Sequence, residues 1–139
     1  MKIKIMMVLS VFVIGLSGFA FANQLDQIKP DFKKLKTGYD PKHTPKIEAP
    51  DTVKAGEWFD VKVSIGAGAD HPSMLEHQVQ WIAIFKNDVE ISRIYLHPVY
   101  SKPKVTFTIA LDESCTLKVM EQPNHTAPWT ATKKIKVTK

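Results

Sequence analysis

The side chains in this sequence whose type and placement could support chemistry are the five histidines. His43, His71, His77 and His125 fall in or beside segments that read as loops, and His97 precedes Pro98 at the end of a strand-like run. Imidazoles carried on separate loops of a rigid scaffold can converge on one ion, and imidazole suits iron, copper, zinc and nickel. A single loop histidine is more often a solvated side chain, so spacing alone leaves metal binding and a plain surface role both open. Cys115 is the sole cysteine. That excludes an intramolecular disulfide and every zinc pattern built on two or more thiolates. It reads as a half-buried thiol where the acidic turn Asp112-Glu113-Ser114 becomes a strand, with interchain pairing or reactivity as the alternatives in an oxidising compartment. Between His71 and His77, Met74 reads as a packing residue and Glu76 as an outer or surface carboxylate. Trp58, Trp81 and Trp129 read as core and rim aromatics, the last two placed where they could shield a pocket.

Short strands must position these groups. Trp58-Phe59-Asp60-Val61-Lys62-Val63-Ser64-Ile65 alternates apolar and polar residues, the period of a half-buried strand, and Gly66-Ala67-Gly68-Ala69-Asp70 ends it. Residues 79–85 form a second run, Lys86-Asn87-Asp88 a hairpin turn and 90–96 its return. Residues 105–111, 115–121 and 130–137 complete the set, and 51–54 offer a further edge strand. Six or seven strands with turn signals every ~8–12 residues predict an all-β fold, an immunoglobulin-like antiparallel β-sandwich of about seven strands. No glycine-rich phosphate loop and no helix–strand alternation occur, which excludes a nucleotide-binding α/β fold. With 139 residues, 44% hydrophobic and 24% charged, the chain suits one globular domain and is too apolar for a disordered tail.

The beginning of the chain reads differently. Lys2 and Lys4 precede an apolar run over 5–21 without an ionisable side chain, and Ala20 and Ala22 supply the small residues of a signal-peptidase site before Asn23. This is the order of a secretory signal peptide over residues 1–22. A retained membrane anchor is the competing reading, since the run approaches the roughly 18 residues a spanning helix needs. The Ala-x-Ala site favours cleavage, and with it a periplasmic or otherwise exported protein. Residues 23–50 form a lead-in with one weakly helical face (Leu25, Ile28, Phe32, Leu35), followed over 39–50 by an extended loop that Pro41, Pro45 and Pro50 favour. The sandwich occupies 51–139. Removing the leader takes two lysines from the +5 total and leaves +3. Scattered lysines with Arg93 as the sole arginine lack the stripe of a nucleic-acid binder, so no nucleic-acid partner is expected.

The residues around the histidines carry a resemblance. His71-Pro72-Ser73-Met74-Leu75-Glu76-His77-Gln78-Val79-Gln80-Trp81-Ile82 resembles the HP-x(3)-EH-x(3)-WI stretch of superoxide reductases, the desulfoferrodoxin and neelaredoxin family. Lys42-His43-Thr44-Pro45 is similar to that family's KH-x-P loop, and Lys54-Ala55-Gly56-Glu57 to its strand-opening turn. Pro98-Val99-Tyr100 through Pro103-Lys104-Val105-Thr106-Phe107 resembles its central linker and strand, and Asn124 and Trp129 keep the spacing of its C-N-x-H-G-x-W motif. The resemblance runs collinearly over about residues 40–137.

It implies the same sandwich, bearing a mononuclear non-haem iron that cycles between ferrous and ferric states. Four histidines lie in a plane around the iron, a cysteine thiolate is axial, and the open position reduces superoxide to hydrogen peroxide. His43, His71 and His77 take three of the histidine positions, and Lys42 that of an assisting lysine. The departures are specific. Pro123 falls on the axial cysteine, Thr126 on the fourth histidine with His125 one residue earlier, and Pro41 on a glutamate. Cys115 is eight residues before Pro123, some ~26 Å along an extended strand, and cannot simply replace the missing sulfur. A one-residue shift is only ~3.5 Å, and the prolines of this loop leave His125 able to turn inward as the fourth ligand.

Without the thiolate, ferric iron loses stabilisation, and zinc or copper compete more readily for the imidazoles. The cysteines of a second, rubredoxin-like centre are absent. The reading is therefore a superoxide-reductase-like protein holding iron through His43, His71, His77 and His125, with Lys42 attracting superoxide. Its external electron donor is unknown and self-association is left open. The alternative is a non-catalytic metal-binding or carrier module that has lost the redox site. An immunoglobulin-like interaction module without metal is a third reading.

Overall fold

Alternation along the chain becomes two facing sheets. The computed structural model describes residues 34–139; the leader 1–22 and the positions Leu25, Ile28 and Phe32 lie outside the described residues. The strands are β1 (Pro45–Glu48), β2 (Thr52–Lys54), β3 (Trp58–Ile65), β4 (Val79–Lys86), β5 (Val89–Tyr95), β6 (Lys104–Ala110), β7 (Cys115–Pro123) and β8 (Trp129–Thr138). One sheet has the order β1-β3-β6 and the other β2-β8-β7-β4-β5. Val61, Val63, Ile65 and Phe107 from the first sheet meet Ile82, Ile84, Leu117, Val119 and Ile135 from the second in one buried cluster. Each such side chain removed from water stabilises the fold by about 1.5–3 kcal/mol.

Two features correct the sequence expectation. Pro45–Glu48, inside the stretch expected to be an extended loop, is a strand paired antiparallel with β3. Proline is compatible because β1 is an edge strand and Pro45 its first residue, where the missing N–H leaves no ladder bond broken. Second, the sandwich is not antiparallel throughout: β2 crosses to the other sheet and pairs parallel to β8. The hairpin between β4 and β5 turns on Asn87 and Asp88, both at positive φ (45° and 71°), the two-residue turn whose twist matches the strands it joins.

β4 is buried on both faces. Ile82 and Ile84 enter the inter-sheet core, while Ala83 and Phe85 join Met120, Leu35 and Trp81 in a second cluster. The segment carrying Leu35 is tied down beside it, with Lys36 donating its N–H to the carbonyl of Pro128 and accepting from Thr130. The pairings Pro45↔Ile65, Val79↔Pro123 and Glu121↔Trp129 bring the start of β1, the end of β3, the start of β4, the end of β7 and the start of β8 to one end of the sandwich. The connections carrying His43, His71, His77 and His125 all emerge there.

Candidate metal centre

His43 sits two residues before β1, in a turn organised by Asp40. The Asp40 carboxylate oxygen Oδ1 accepts the N–H groups of Lys42 and His43, each at 2.9 Å, and the Nδ1 of His43 at 2.8 Å. The Asp40 N–H donates to Thr44 Oγ1 at 2.8 Å. Donation from His43 holds the Asp40 carboxyl below its ordinary range. An ionised carboxylate only accepts, so Nδ1 carries the proton and Nε2 presents a lone pair. Asp-Pro favours turn initiation, which is the sequence signal that could have singled out Asp40.

The next two imidazoles come from the β3–β4 connection. Gly66 turns the chain at φ 95°, and a Cβ there would lie 1.9 Å from the carbonyl oxygen of Ala69. Only glycine fits that close reversal. The N–H groups of Gly68 and Ala69 donate to the Pro41 carbonyl at 3.0 and 2.8 Å, joining this connection to the His43 turn. His71 is buried, and its Nδ1 donates to the Pro72 carbonyl at 2.8 Å. Burial, reinforced by the neighbouring imidazoles, pushes the His71 pKa down to about 4. His77 is half-buried, across a short bridge from Met74.

The fourth imidazole turns inward. In the β7–β8 connection, Asn124 Oδ1 accepts the Gln78 N–H at 3.0 Å and His125 Nδ1 at 3.2 Å, while Asn124 Nδ2 donates to the Leu75 carbonyl at 3.1 Å. One amide thus fixes the His125 ring and clamps its loop to the His77 loop. Burial and the adjacent rings lower the His125 pKa. Trp129 stacks on His43 at 5.5 Å between centroids and an interplanar angle of 15°.

The four rings surround a common point. Centroid separations are 5.1 Å for His43–His71, 4.8 Å for His71–His77, 3.9 Å for His77–His125 and 5.2 Å for His125–His43. The cross pairs are longer, at 6.3 Å for His43–His77 and 5.7 Å for His71–His125. That is the order of a puckered square, not of a tetrahedron. One ligand nitrogen from each ring lies within 4.8 Å of all the others. His43 Nε2 and His125 Nε2 are 3.0 Å apart. Both rings donate through Nδ1, so two lone pairs face each other and a positive charge must lie between them. A proton would satisfy two nitrogens. The buried Nε2 atoms of His71 and His77 have no partner either, and one metal ion satisfies all four. At metal–nitrogen distances of about 2.1 Å, nitrogens at right angles stand ~3.0 Å apart and opposed ones ~4.2 Å, so the donor set fits a cation.

Lys42 is exposed beside His43. His97 lies outside the cluster, its ring against Tyr100 and its Nδ1 accepting the N–H groups of Val99 and Tyr100. Cys115 is buried at the opposite end of β7, and burial raises its pKa, so it is no part of the centre. Pro123, fully buried, ends β7. Sequence reading missed Glu121, whose side chain has no exposure and whose oxygens have no hydrogen-bond partner. Burial first, then the charge of Asp40, pushes its pKa up to about 9. A lone acid inside Lys118-Val119-Met120-Glu121 gives no sequence signal beyond sharing the inward period of Leu117 and Val119.

Residues 35–132 match the family model for desulfoferrodoxin. A Thermotoga maritima protein provisionally named a superoxide reductase is 30% identical over 125 residues, which span 77% of this chain and 95% of that protein. A solved structure from the same organism, also 30% identical, superposes with a TM-score of 0.71 over 77% of this chain and 96% of its own. The superoxide reductase (neelaredoxin) of Ignicoccus hospitalis is 39% identical with a TM-score of 0.64, covering 69% of this chain and 81% of its own.

Proposed function

We propose, on the premise that the chain belongs to the desulfoferrodoxin family, that it is an exported protein holding one iron through His43, His71, His77 and His125 and reducing superoxide. The observation that carries this reading is the convergence of four imidazole nitrogens, two of them 3.0 Å apart with their outer nitrogens engaged as donors. Iron held by these four imidazoles would supply the one electron that, with two protons, converts superoxide to hydrogen peroxide, and an external one-electron donor would be needed to reset it.

The chain's own residues set the conditions. Asp40, the Pro72 carbonyl and Asn124 hold three rings with Nε2 inward. His71, with its low pKa, stays neutral and able to bind a metal well into the acid range. Exposed Lys42, next to His43, gives the rim a positive charge that draws an anion toward it. Export is supported by the leader pattern of Lys2, Lys4, the apolar run and Ala20-x-Ala22.

Pro123 supports a second reading. With no donor atom at the position of the family's axial sulfur, the imidazoles hold zinc or copper as readily as iron, and the protein is then a metal carrier. The two separate in one experiment. Protein recovered from the exported fraction, beginning at Asn23, is loaded with ferrous iron without oxygen and given superoxide. The enzyme retains about one iron per chain, forms one hydrogen peroxide per superoxide without releasing dioxygen, and is reset by a reductant. Its ferric spectrum lacks a thiolate-to-iron charge-transfer band. Replacing His71 and His77 with alanine abolishes iron retention. Failure of the wild-type protein to retain iron or consume superoxide overturns the enzymatic reading, and tight zinc or copper binding in that case favours the carrier.

A further inference from the structure

The four imidazoles are not equally covered. His71 is buried, His43 and His77 are half-buried, and His125 is exposed. An anion arriving from solvent therefore meets the centre on the His125 side, and the charges standing there decide how it is received.

The cation on that side comes from a segment that carries none of the imidazoles. Lys36 is tied to the β7–β8 connection by its backbone: its N–H donates to the Pro128 carbonyl at 2.9 Å, its carbonyl accepts the Thr130 N–H at 3.0 Å, and it forms an isolated parallel bridge with Trp129. Its side chain, exposed to solvent, lies along the same connection. The ammonium donates to Thr126 Oγ1 at 3.0 Å and stands 5.0 Å from the centroid of the Trp129 indole. Thr126 directly follows His125, and Trp129 stacks on His43. The ammonium is thus held by the immediate neighbours of two of the four imidazoles. Its charge reaches the cluster: after burial and the charges of His77 and His43, Lys36 is the further cause of the lowered His125 pKa.

This placement has a counterpart in the sequence. Thr126 falls where the family pattern has its fourth histidine, and the imidazole stands one residue earlier, at His125. Position 126 is then free to carry a hydroxyl, which accepts from Lys36. A lysine has a flexible stem and much rotamer freedom, and an unheld one spreads its charge over a wide volume. The Thr126 hydroxyl and the face of the indole together restrict it to one place.

We propose that Lys36 is a substrate-guiding residue: its ammonium, held by Thr126 and Trp129 beside His125, draws the superoxide anion to the open side of the centre. The proposal rests on the metal-binding reading above and adds a residue to it, since the family pattern supplies only Lys42, on the His43 turn. In this role Lys36 transfers no proton and binds no metal. It raises the local concentration of the anion where the imidazoles are exposed.

Azide, a small monoanion, is the probe, titrated into cobalt(II)-loaded wild-type protein and into Lys36→Met, Lys36→Arg and Lys42→Met variants loaded in the same way. Azide binding is read from the visible ligand-field spectrum, and cobalt affinity by competition with a chelator. Lys36→Met should bind azide about three- to tenfold more weakly at low ionic strength, and the difference should shrink as salt is added. Its cobalt affinity should equal that of wild type or exceed it, because a positive charge near the ion has been removed. Lys36→Arg keeps the charge and should stay within about twofold of wild type for azide. Unchanged azide affinity in Lys36→Met overturns the role of Lys36 and leaves the imidazole site standing; a loss confined to Lys42→Met would give that role to Lys42. Equal losses in Lys36→Met and Lys36→Arg also overturn it, because contact with Trp129 and not charge would then be responsible. A wild type that binds cobalt but takes no azide overturns it as well. A wild type that binds no cobalt removes the imidazole site and this proposal together.

Discussion

At His43, a single carboxylate decides which nitrogen is available. Asp40 accepts from Nδ1 and from two backbone amides, so it sets the tautomer, the ring angle and the turn at once. Such outer partners of metal-binding histidines typically change metal affinity by about 10–100-fold when removed. Asp40→Ala should therefore weaken cobalt or ferrous iron binding by roughly that factor, and Asp40→Asn, which keeps an accepting oxygen, by less. Chelator competition on both variants checks this; equal affinity to wild type would mean that the ring is held by stacking on Trp129 alone. His125 makes a related point. Its identity and the one-residue displacement were legible in the sequence, but its inward turn depends on Asn124, whose amide finds the Gln78 N–H and Leu75 carbonyl only once two distant loops meet.

At the level of elements, the centre is held by the β3–β4 connection folding against the His43 turn. Gly66 makes that possible, and the Pro41 carbonyl takes two N–H groups from the reversal it creates. Gly66→Ala would place a methyl group 1.9 Å from the Ala69 carbonyl oxygen at a φ unfavourable for a side chain. It should cost about 2–4 kcal/mol of stability and displace His71 relative to His43, weakening metal binding in whatever protein still folds. Denaturant unfolding and a metal titration of the same variant test both effects. A contrasting control is Gly56→Ala, whose added Cβ meets nothing within 4 Å, leaving only the cost of its positive φ. The strand alternation around Gly66 was plain from sequence. β1 was not, because four residues beginning with proline resemble a loop until β3 offers them an edge.

For the whole molecule, two buried groups give the metal-free protein opposite responses to pH. His71 has a folded pKa near 4 against an unfolded value of 6.5, so its contribution is complete above 6.5 and is lost as pH falls toward 4. Glu121 has a folded pKa near 9 against 4.5, so burial carries no ionisation penalty below 4.5, and stability is lost as pH rises toward 9. Between 4.5 and 6.5 the unfolded chain binds an extra proton at His71 and lacks one at Glu121, and the two slopes cancel. Metal-free protein should be most stable across that plateau and then lose up to about 1.4 kcal/mol per pH unit on the alkaline side. Chelator-treated wild type and Glu121→Gln, unfolded by denaturant across the pH range, provide the measurement. The alkaline slope should vanish in the variant, and its persistence would assign the slope to another group.

Period-two alternation, turn residues and the words around the histidines were sufficient for an all-β sandwich and for three of its imidazoles, because strand periodicity and local turn chemistry act over a few neighbouring residues. The departure at Pro123 was equally visible, since it concerns what one side chain can donate. What had to wait for tertiary structure was everything set by residues far apart in the chain. Asn124 becomes a clamp between two loops, and Glu121 an unpaired carboxyl through enclosure between two sheets. Burial and convergence are properties of the closed sandwich, and no local pattern along the strand encodes which buried polar atom will be left without a hydrogen-bond partner.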